Sequence, residues 1–305
     1  MKIGIVGCGA MGSVYAGLLA DSGHEVWAVD QWAEHIEAMR ANGLRVEGAS
    51  GDRTVRLNAT MDAAEAGVCE LVVIATKAMN VAAAATAARP MVGPGTLVLS
   101  IQNGLGGPAR AAEVLPGAHV AIGVAGGFGA SILEPGRAHH NGWELVRLGD
   151  QEGPVTPQLT AVAELWRAAG FNTETYDDIE RMIWEKLICN VAFSGTCAIT
   201  GIAIGQVIAH PGAWRVASTC AAEAHAVARA KGIAVRIVDP VAYVHDFGLK
   251  IPHARPSMLL DHDARRRSEI DAINGAIPPA GREVGVAAPM NETVADLVRA
   301  KEVGF

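Results

Sequence analysis

Aromatic side chains are scarce in this chain, 5% of its residues, and its five cysteines, at 8, 69, 189, 197 and 220, form no C-x-x-C pair. An odd, scattered set of thiols offers neither a disulfide framework nor a thiolate zinc site, and it fits a reducing compartment. An excess of basic charge is also missing. With 25 Lys and Arg against 32 Asp and Glu the formal charge is −7, so a nucleic-acid partner is not expected. The histidines show no H-x-x-x-H or carboxylate spacing, and no metal is expected. The opening MKIGIVGCGAMG places glycines where an export signal needs an apolar run and a cleavage site, so a cytoplasmic location is expected. One run, 187–209, lacks charge over a bilayer-spanning length. Asn190, Ser194, Thr196, Thr200 and Gln206 interrupt it, and Gly195, Gly201 and Gly205 weaken a helix, so it reads as the core of a soluble domain rather than a membrane segment.

What the chain does have is glycine, 35 of 305 residues, in a composition that is 50% hydrophobic. This supports a packed core with tight turns, and the length suggests about two domains. Short apolar strands at 2–6, 25–29, 71–75 and 96–100 alternate with helical stretches at 11–22 and 81–88, the pattern of a parallel sheet covered by helices. Strands at 120–124, 131–133 and 143–148, separated by Gly, Pro and Asn, are expected to extend that sheet antiparallel. A helix at 157–169 and a short run at 172–176 close the first domain. The expected fold class is α/β: an N-terminal Rossmann-type dinucleotide-binding domain over 1–176 and an all-helical substrate and dimerisation domain over 177–305. A homodimer is compatible with such a helical domain, although no patch in the sequence demonstrates it.

The strongest local signal is Gly7-Cys8-Gly9-Ala10-Met11-Gly12, a G-x-G-x-x-G between a strand and a helix. There Gly7 permits the turn, Gly9 lets the backbone approach a pyrophosphate, Gly12 lets helix and strand pack closely, and the helix N-terminus supplies N–H donors. Asp30 ends the next strand, 18 residues after Gly12. A carboxylate there accepts from an adenosine ribose and repels a 2′-phosphate, which favours NAD (NADH) and leaves NADP as the alternative. Gln31 and Trp32 bring no cation, so Arg40 and Arg45 are the ones that remain to serve a phosphate. Cys8 stands beside the helix N-terminus, where a thiol's pKa can fall.

Thr76-Lys77-Ala78 and Gln102-Asn103-Gly104 both follow strands, at the ends where open α/β sheets bind ligands. Helical spacing places Lys186, Asn190 and Ser194 on one face and Trp184, Leu187 and Val191 on another, and a polar stripe in an apolar helix needs a partner or a ligand. On spacing alone Lys186 also fits a solvated helix position, and Glu269 an ion pair with Arg265 one turn earlier. Arg265-Arg266-Arg267 reads as a solvated helix face, and His139, His140, His253 and His262 as surface or supporting residues.

With GCGAMG, ATKAMN, SIQNGLG, IWEKLICN, RPSMLLDHDARRRSEIDAINGAI and AAPMNETV in view, the chain resembles the ketopantoate reductase (2-dehydropantoate 2-reductase) family nearly end to end. The resemblance implies an oxidoreductase that moves a hydride from a nicotinamide to the carbonyl of a 2-oxo acid, with the active site between the domains. Lys186 matches the family's catalytic lysine, which protonates the nascent alkoxide, and Glu269 the acid beside it. Asn190 and Ser257 match substrate-holding positions, and Lys77 and Asn103 match residues near the nicotinamide and its ribose, with Asn103 reaching the substrate too. For Cys8, its presence in the family's glycine motif implies fit rather than reactivity. The physics agrees: negative charge grows on the carbonyl oxygen, and an ammonium both stabilises it and delivers the proton. Ser194 and Ile204 stand where the family has substrate-binding asparagines, and Gln31 where NADP-type members have an arginine. These departures point to NADH and to a 2-oxo acid with a less polar tail. The alternatives are an NADPH-dependent ketopantoate reductase of pantothenate biosynthesis, a 2-hydroxy acid dehydrogenase working oxidatively, and a dinucleotide-sensing regulator, which has no need of a proton donor.

Overall fold

The computed structural model describes residues 1–127, 129–142 and 145–305; Trp143, expected to open a strand, lies outside the described residues. The chain divides into two compact units, Met1–Gln102 with Gly106–Ile179, and Asn103–Leu105 with Glu180–Phe305. The second unit's main part thus begins three residues beyond the expected 177, and the unit takes in a short segment far upstream.

The first unit runs β1 (Lys2–Val6), α1 (Ala10–Asp21), β2 (Glu25–Val29), α2 (Ala33–Asn42), β3 (Leu44–Gly48), β4 (Arg53–Val55) and β5 (Asn58–Thr60), then β6 (Leu71–Ile74), α3 (Val81–Ala88), β7 (Leu97–Ser100) and α4 (Gly107–Val114). It finishes with β8 (His119–Gly126), β9 (Gly129–Glu134), β10 (Arg137–Gly142), β11 (Leu145–Asp150), α5 (Pro157–Ala168) and β12 (Thr173–Thr175). An eight-stranded sheet has the order β12-β11-β8-β7-β6-β1-β2-β5. Its central strands are apolar without alternation because helices cover both faces; Ile3, Ile5, Leu71, Val72, Val73, Ile74, Leu97, Val98 and Leu99 are all 0% exposed. The register aligns Val6 with Val29 and Ile74, and Ile74 with Ser100, so the ends of β7, β6, β1 and β2 form one row.

The antiparallel extension needs correction. The strand expected at 120–124, observed as β8, joins β7 parallel; β11 does run antiparallel to β8, but the expected strand at 131–133, observed as β9, joins a separate four-stranded sheet, β4-β3-β10-β9. Polar, alternating strands such as Leu44–Gly48, with Leu44 and Val46 buried and Arg45 and Glu47 partly exposed, suit a sheet with one covered face. An ion pair between Arg137 and Glu47 crosses from β10 to β3 at 2.8 Å.

The second unit is helical among the described residues: α6 (Ile179–Thr200), α7 (Ile204–Ala209), α8 (Pro211–Ala230), α9 (Pro240–Lys250), α10 (Ser257–Asp263), α11 (Ile277–Glu283) and α12 (Pro289–Lys301). The uncharged run at 187–209 breaks at Gly201 (φ +75°) into α6 and α7. No helix of the described residues is long and apolar enough to cross a membrane. Trp184, Leu187 and Val191 of α6 are buried as their spacing predicts. A polar network pins the backbone of α6: Asn274 Nδ2 donates to Val191 O (2.8 Å) and Asn291 Oδ1 (3.0 Å), and Asn291 Nδ2 donates to Glu223 Oε2 (2.9 Å). All three links are charge-assisted or buried, and together they hold the helix one residue from Asn190.

One partly buried cluster in the first unit sets a histidine between two acceptors. Gln158 Nε2 donates to Gly95 O (2.7 Å), so its Oε1 is the atom 2.9 Å from His119 Nδ1, while His119 Nε2 meets the Asp150 carboxylate. Both ring nitrogens therefore face acceptors, as an imidazolium requires. Burial lowers the His119 pKa, but the hydrogen bonds to Gln158 and Asp150 outweigh it, and the net shift is upward. A raised folded-state pKa means stability that is fully present below the ordinary value of 6.5 and is lost as pH rises through the raised one. The stability advantage of the wild type over His119→Gln should therefore shrink as pH rises above the ordinary value of 6.5 in thermal unfolding. An advantage that stays constant or grows contradicts the protonated cluster.

Candidate active site

The glycine turn follows β1 and opens α1. Gly7 has φ +95°, and a Cβ there would stand 2.6 Å from Thr76 N, so only glycine makes this turn. At Gly12 a Cβ would lie 2.0 Å from Gly7 O, which keeps the helix close to the strand end. Gly9 is the opposite case: it is exposed, and a Cβ there would meet nothing of the chain within 4 Å. A closed turn, a closely packed helix and an open middle residue form the cradle that a dinucleotide pyrophosphate requires, with Ala10 and Met11 opening the helix beside it. Cys8 contributes backbone only. Its side chain is fully buried, with Sγ donating to Ile5 O (3.4 Å), and burial, aided by the Asp30 charge, pushes the thiol's pKa up rather than down.

Asp30 leaves β2 in the same row of strand ends, and its Oδ1 accepts from Trp32 N (3.0 Å). Gln31 turns away, with Nε2 donating to Met61 O (3.0 Å). The two cations considered for a 2′-phosphate are engaged: Arg40 Nε donates to Ala59 O (2.6 Å), and Arg45 makes a two-pronged contact with Asp52 (2.9 and 2.7 Å). Lys77 follows β6 at the start of the 3₁₀ turn Ala78–Asn80.

In the helical unit, three of the expected residues converge. Lys186 Nζ donates to Asn103 Oδ1 (2.8 Å), and Asn103 Nδ2 donates to Glu269 Oε2 (3.1 Å). An ammonium only donates and a carboxylate only accepts, so the amide has one orientation that satisfies both. Asn103 is held in this unit because Leu105 N donates to Ala272 O (2.8 Å), beside Gly104 (φ +83°), where a Cβ would lie 2.0 Å from the same oxygen. Glu269 opens the 3₁₀ turn Ile270–Ala272 and accepts from Asn103. Arg265 is not on a helix: α10 ends at Asp263, Arg265 has φ +50°, and its guanidinium donates to Gly304 O (2.5 Å).

Asn190 is half-buried and Ser194 is 4% exposed, one and two turns along α6 from Lys186. Ser257, exposed as the first residue of α10, takes no part in the Lys186–Asn103–Glu269 bonds. Ile204 is 3% exposed and packed with Phe193 and Ile208 around Gly248, so its role as a wall for a substrate tail is corrected to core packing.

Two supports escaped the sequence reading. Gln102 Nε2 donates to Ile74 O (2.6 Å) and Thr76 O (3.2 Å), while its Oε1 accepts from Ser100 Oγ (2.5 Å), which ties the ends of β6 and β7 together. Its place in the Gln-Asn-Gly triplet was the available signal. His35 is 0% exposed and its pKa is lowered by burial; Nδ1 accepts from Gly136 N (2.9 Å), so Nε2 donates to Ser13 Oγ (3.0 Å), which donates to Cys8 O (2.9 Å) in the glycine turn. Nothing in the sequence near His35 announces this reach to Gly136. Among the described residues, no group of three or more His, Cys, Asp or Glu is placed to hold a metal.

Comparison with known proteins gives matches along the whole chain. Residues 3–153 match the family model described as Ketopantoate reductase PanE/ApbA, and residues 178–302 match Ketopantoate reductase PanE/ApbA C terminal. A 2-dehydropantoate 2-reductase of Archaeoglobus fulgidus is 31% identical over 307 aligned residues, covering 100% of this chain and 99% of its own. The crystal structure of 2-dehydropantoate 2-reductase from Geobacter metallireducens superposes with a TM-score of 0.91 at 32% identity, over 98% of this chain and 99% of that one. The ternary structure of D-mandelate dehydrogenase with NADH and anilino(oxo)acetate also gives 0.91, at 28% identity, over 100% and 99%.

The glycine turn makes a prediction that separates packing from binding. Gly12→Ala forces backbone against backbone, which costs roughly 1–3 kcal/mol, or about 2–4 °C in unfolding midpoint per kcal/mol for a domain of this size. Gly9→Ala should leave the midpoint unchanged within about 1 °C and weaken dinucleotide binding about tenfold or more, as the added methyl occupies the open approach. Equal midpoint losses in the two variants, or unaltered binding by Gly9→Ala in titration calorimetry, contradict this reading.

Proposed function

The chain belongs to the ketopantoate reductase family of oxidoreductases, and on that premise we propose that it reduces a 2-oxo acid to the 2-hydroxy acid, taking NADH in preference to NADPH and using Lys186 as the proton donor. The observation that carries this reading is the chain of hydrogen bonds from Lys186 through Asn103 to Glu269. Gly7–Gly12, Asp30 and Lys77 would hold a nicotinamide dinucleotide, which when bound would supply the hydride for the carbonyl carbon. Lys186 answers the charge that develops on the carbonyl oxygen, first as a cation and then by giving up a proton. Asn103 takes one ammonium N–H and so sets the direction of Lys186, and Glu269 sets the direction of the amide. A charge-assisted bond of this kind is worth about 1.5–3 kcal/mol, roughly 10- to 100-fold in rate if it is made only in the transition state. Asn190 and Ser194, on the face of α6 that carries Lys186, and Ser257 at the head of α10 are the polar groups proposed to hold the substrate.

The NADH preference rests on Asp30, on Gln31 in place of a cation, and on the engagement of Arg40 and Arg45. The likeness to a D-mandelate dehydrogenase described with NADH supports it, and supports an acid with an apolar tail. A second reading, ketopantoate with NADPH, is favoured by the names of the Archaeoglobus and Geobacter relatives.

Initial rates with NADH and with NADPH, on ketopantoate and on a panel of 2-oxo acids, test these readings. NADH should be oxidised faster, and an acid with an apolar tail should exceed ketopantoate in kcat/KM. Faster ketopantoate turnover with NADPH transfers the chain to the second reading, and no turnover on any 2-oxo acid contradicts both. Asp30→Ala with Gln31→Arg should move the NADPH-to-NADH ratio of kcat/KM upward about tenfold or more; an unchanged ratio contradicts the role given to the end of β2.

A further inference from the structure

Glu302 follows α12, is 7% exposed, and gathers three donors on one oxygen: Oε1 accepts from Ser268 N (2.8 Å), Ser268 Oγ (2.5 Å) and His262 Nε2 (3.1 Å). A carboxylate in such a place is costly unless it is fully hydrogen-bonded, and an apolar residue would fill the space at less cost. What the carboxylate holds is informative. Ser268, 3% exposed, is the residue before Glu269, and His262 lies on the helix that Ser257 begins. The same turn makes further ties to that segment: Arg265 donates to Gly304 O, its guanidinium lies 5.7 Å from the Phe305 ring, and the His262 ring meets Phe305 edge-on at 5.1 Å. On the other side of Glu269, Ala272 O is fixed by Leu105 N at 2.8 Å.

Glu269 is therefore suspended between two anchored points, and its 3.1 Å bond to Asn103 survives only if neither moves by much. We propose that Glu302 is a positioning residue of this site, acting through Ser268 to hold Glu269 against Asn103, with His262 joining the Ser257 helix to the same carboxylate. The proposal rests on the reductase reading for its kinetic consequence, but not for the geometry it describes. Glu302 does not touch the reacting atoms. Its charge serves to fix a loop that has no helix of its own, since Glu269 opens a single 3₁₀ turn.

The test is a cycle of Glu302→Ala and Glu302→Gln, each made in the wild type and in Glu269→Gln. Glu302→Ala should lower kcat on the 2-oxo acid about tenfold with the KM for the dinucleotide within about twofold, and Glu302→Gln should recover part of the loss because its amide oxygen still accepts from Ser268 N. In the Glu269→Gln background, Glu302→Ala should add less than about a twofold loss. Equal losses in both backgrounds, or no recovery by Gln, overturn the proposal and leave Glu302 a packing residue. Hydrogen–deuterium exchange of Glu302→Gln gives a readout that needs no turnover: faster exchange at 268–273 and 103–105, with α8 unchanged, supports it even if the wild type reduces no 2-oxo acid. Unchanged exchange in those two segments overturns it.

Discussion

An ammonium and a carboxylate partly withdrawn from water each require a hydrogen-bonding partner, and here one amide answers both, with Asn103 accepting from Lys186 and donating to Glu269. The three residues are 83 and 166 positions apart in the chain, so the arrangement exists only because other contacts hold each of them. Lys186 rides on α6, whose backbone is pinned by Asn274, and Asn103 is drawn to the 270–272 turn by Leu105. Glu269 depends on Ser268 and Glu302. The buried polar groups of the helical unit are thus spent largely on the placement of one hydrogen-bond chain rather than on net stability, in keeping with the small return expected from burying such groups.

The sheet unit answers a different constraint. Its four aligned strand ends present a glycine turn whose middle residue is open, a carboxylate, and a lysine, while the nearest arginines are tied to their own acceptors. Selectivity between two cofactors that differ by one phosphate then depends on which charges are left uncommitted. Asp30 Oδ1 accepts from Trp32 N, and in the proposed reading its charge disfavours a 2′-phosphate at the end of β2.

Legibility in the sequence followed the range of the interactions. The glycine turn, seven of the eight strands of the large sheet and the buried and polar faces of α6 are local patterns of period 2 or 3.6, or fixed spacings, and the structure has them near where the residues place them, whereas the three-residue β5 is too short to show a period. The small sheet was not legible, because β3 and β10 are short and polar and find each other across about ninety residues, as the Arg137–Glu47 pair shows. Neither was the assignment of Asn103–Leu105 to the helical unit, which one backbone bond and a glycine decide. The roles of Lys186 and Glu269 follow from a resemblance; Asn103 stands between them through contacts 83 and 166 positions distant in the chain, which no local pattern reveals. Ile204 misled because a position taken from a family pattern says nothing about which way a side chain packs, and here it packs into the core.

The central claim is that the Lys186 ammonium delivers the proton to the reduced carbonyl oxygen. Lys186→Ala, shown to be folded and to bind the dinucleotide, should lose about 10²–10⁴-fold in kcat and regain activity when small alkylammonium ions are supplied, with rates that follow the acidity of the amine. Near-wild-type turnover by Lys186→Ala, or recovered rates indifferent to amine acidity, would contradict it.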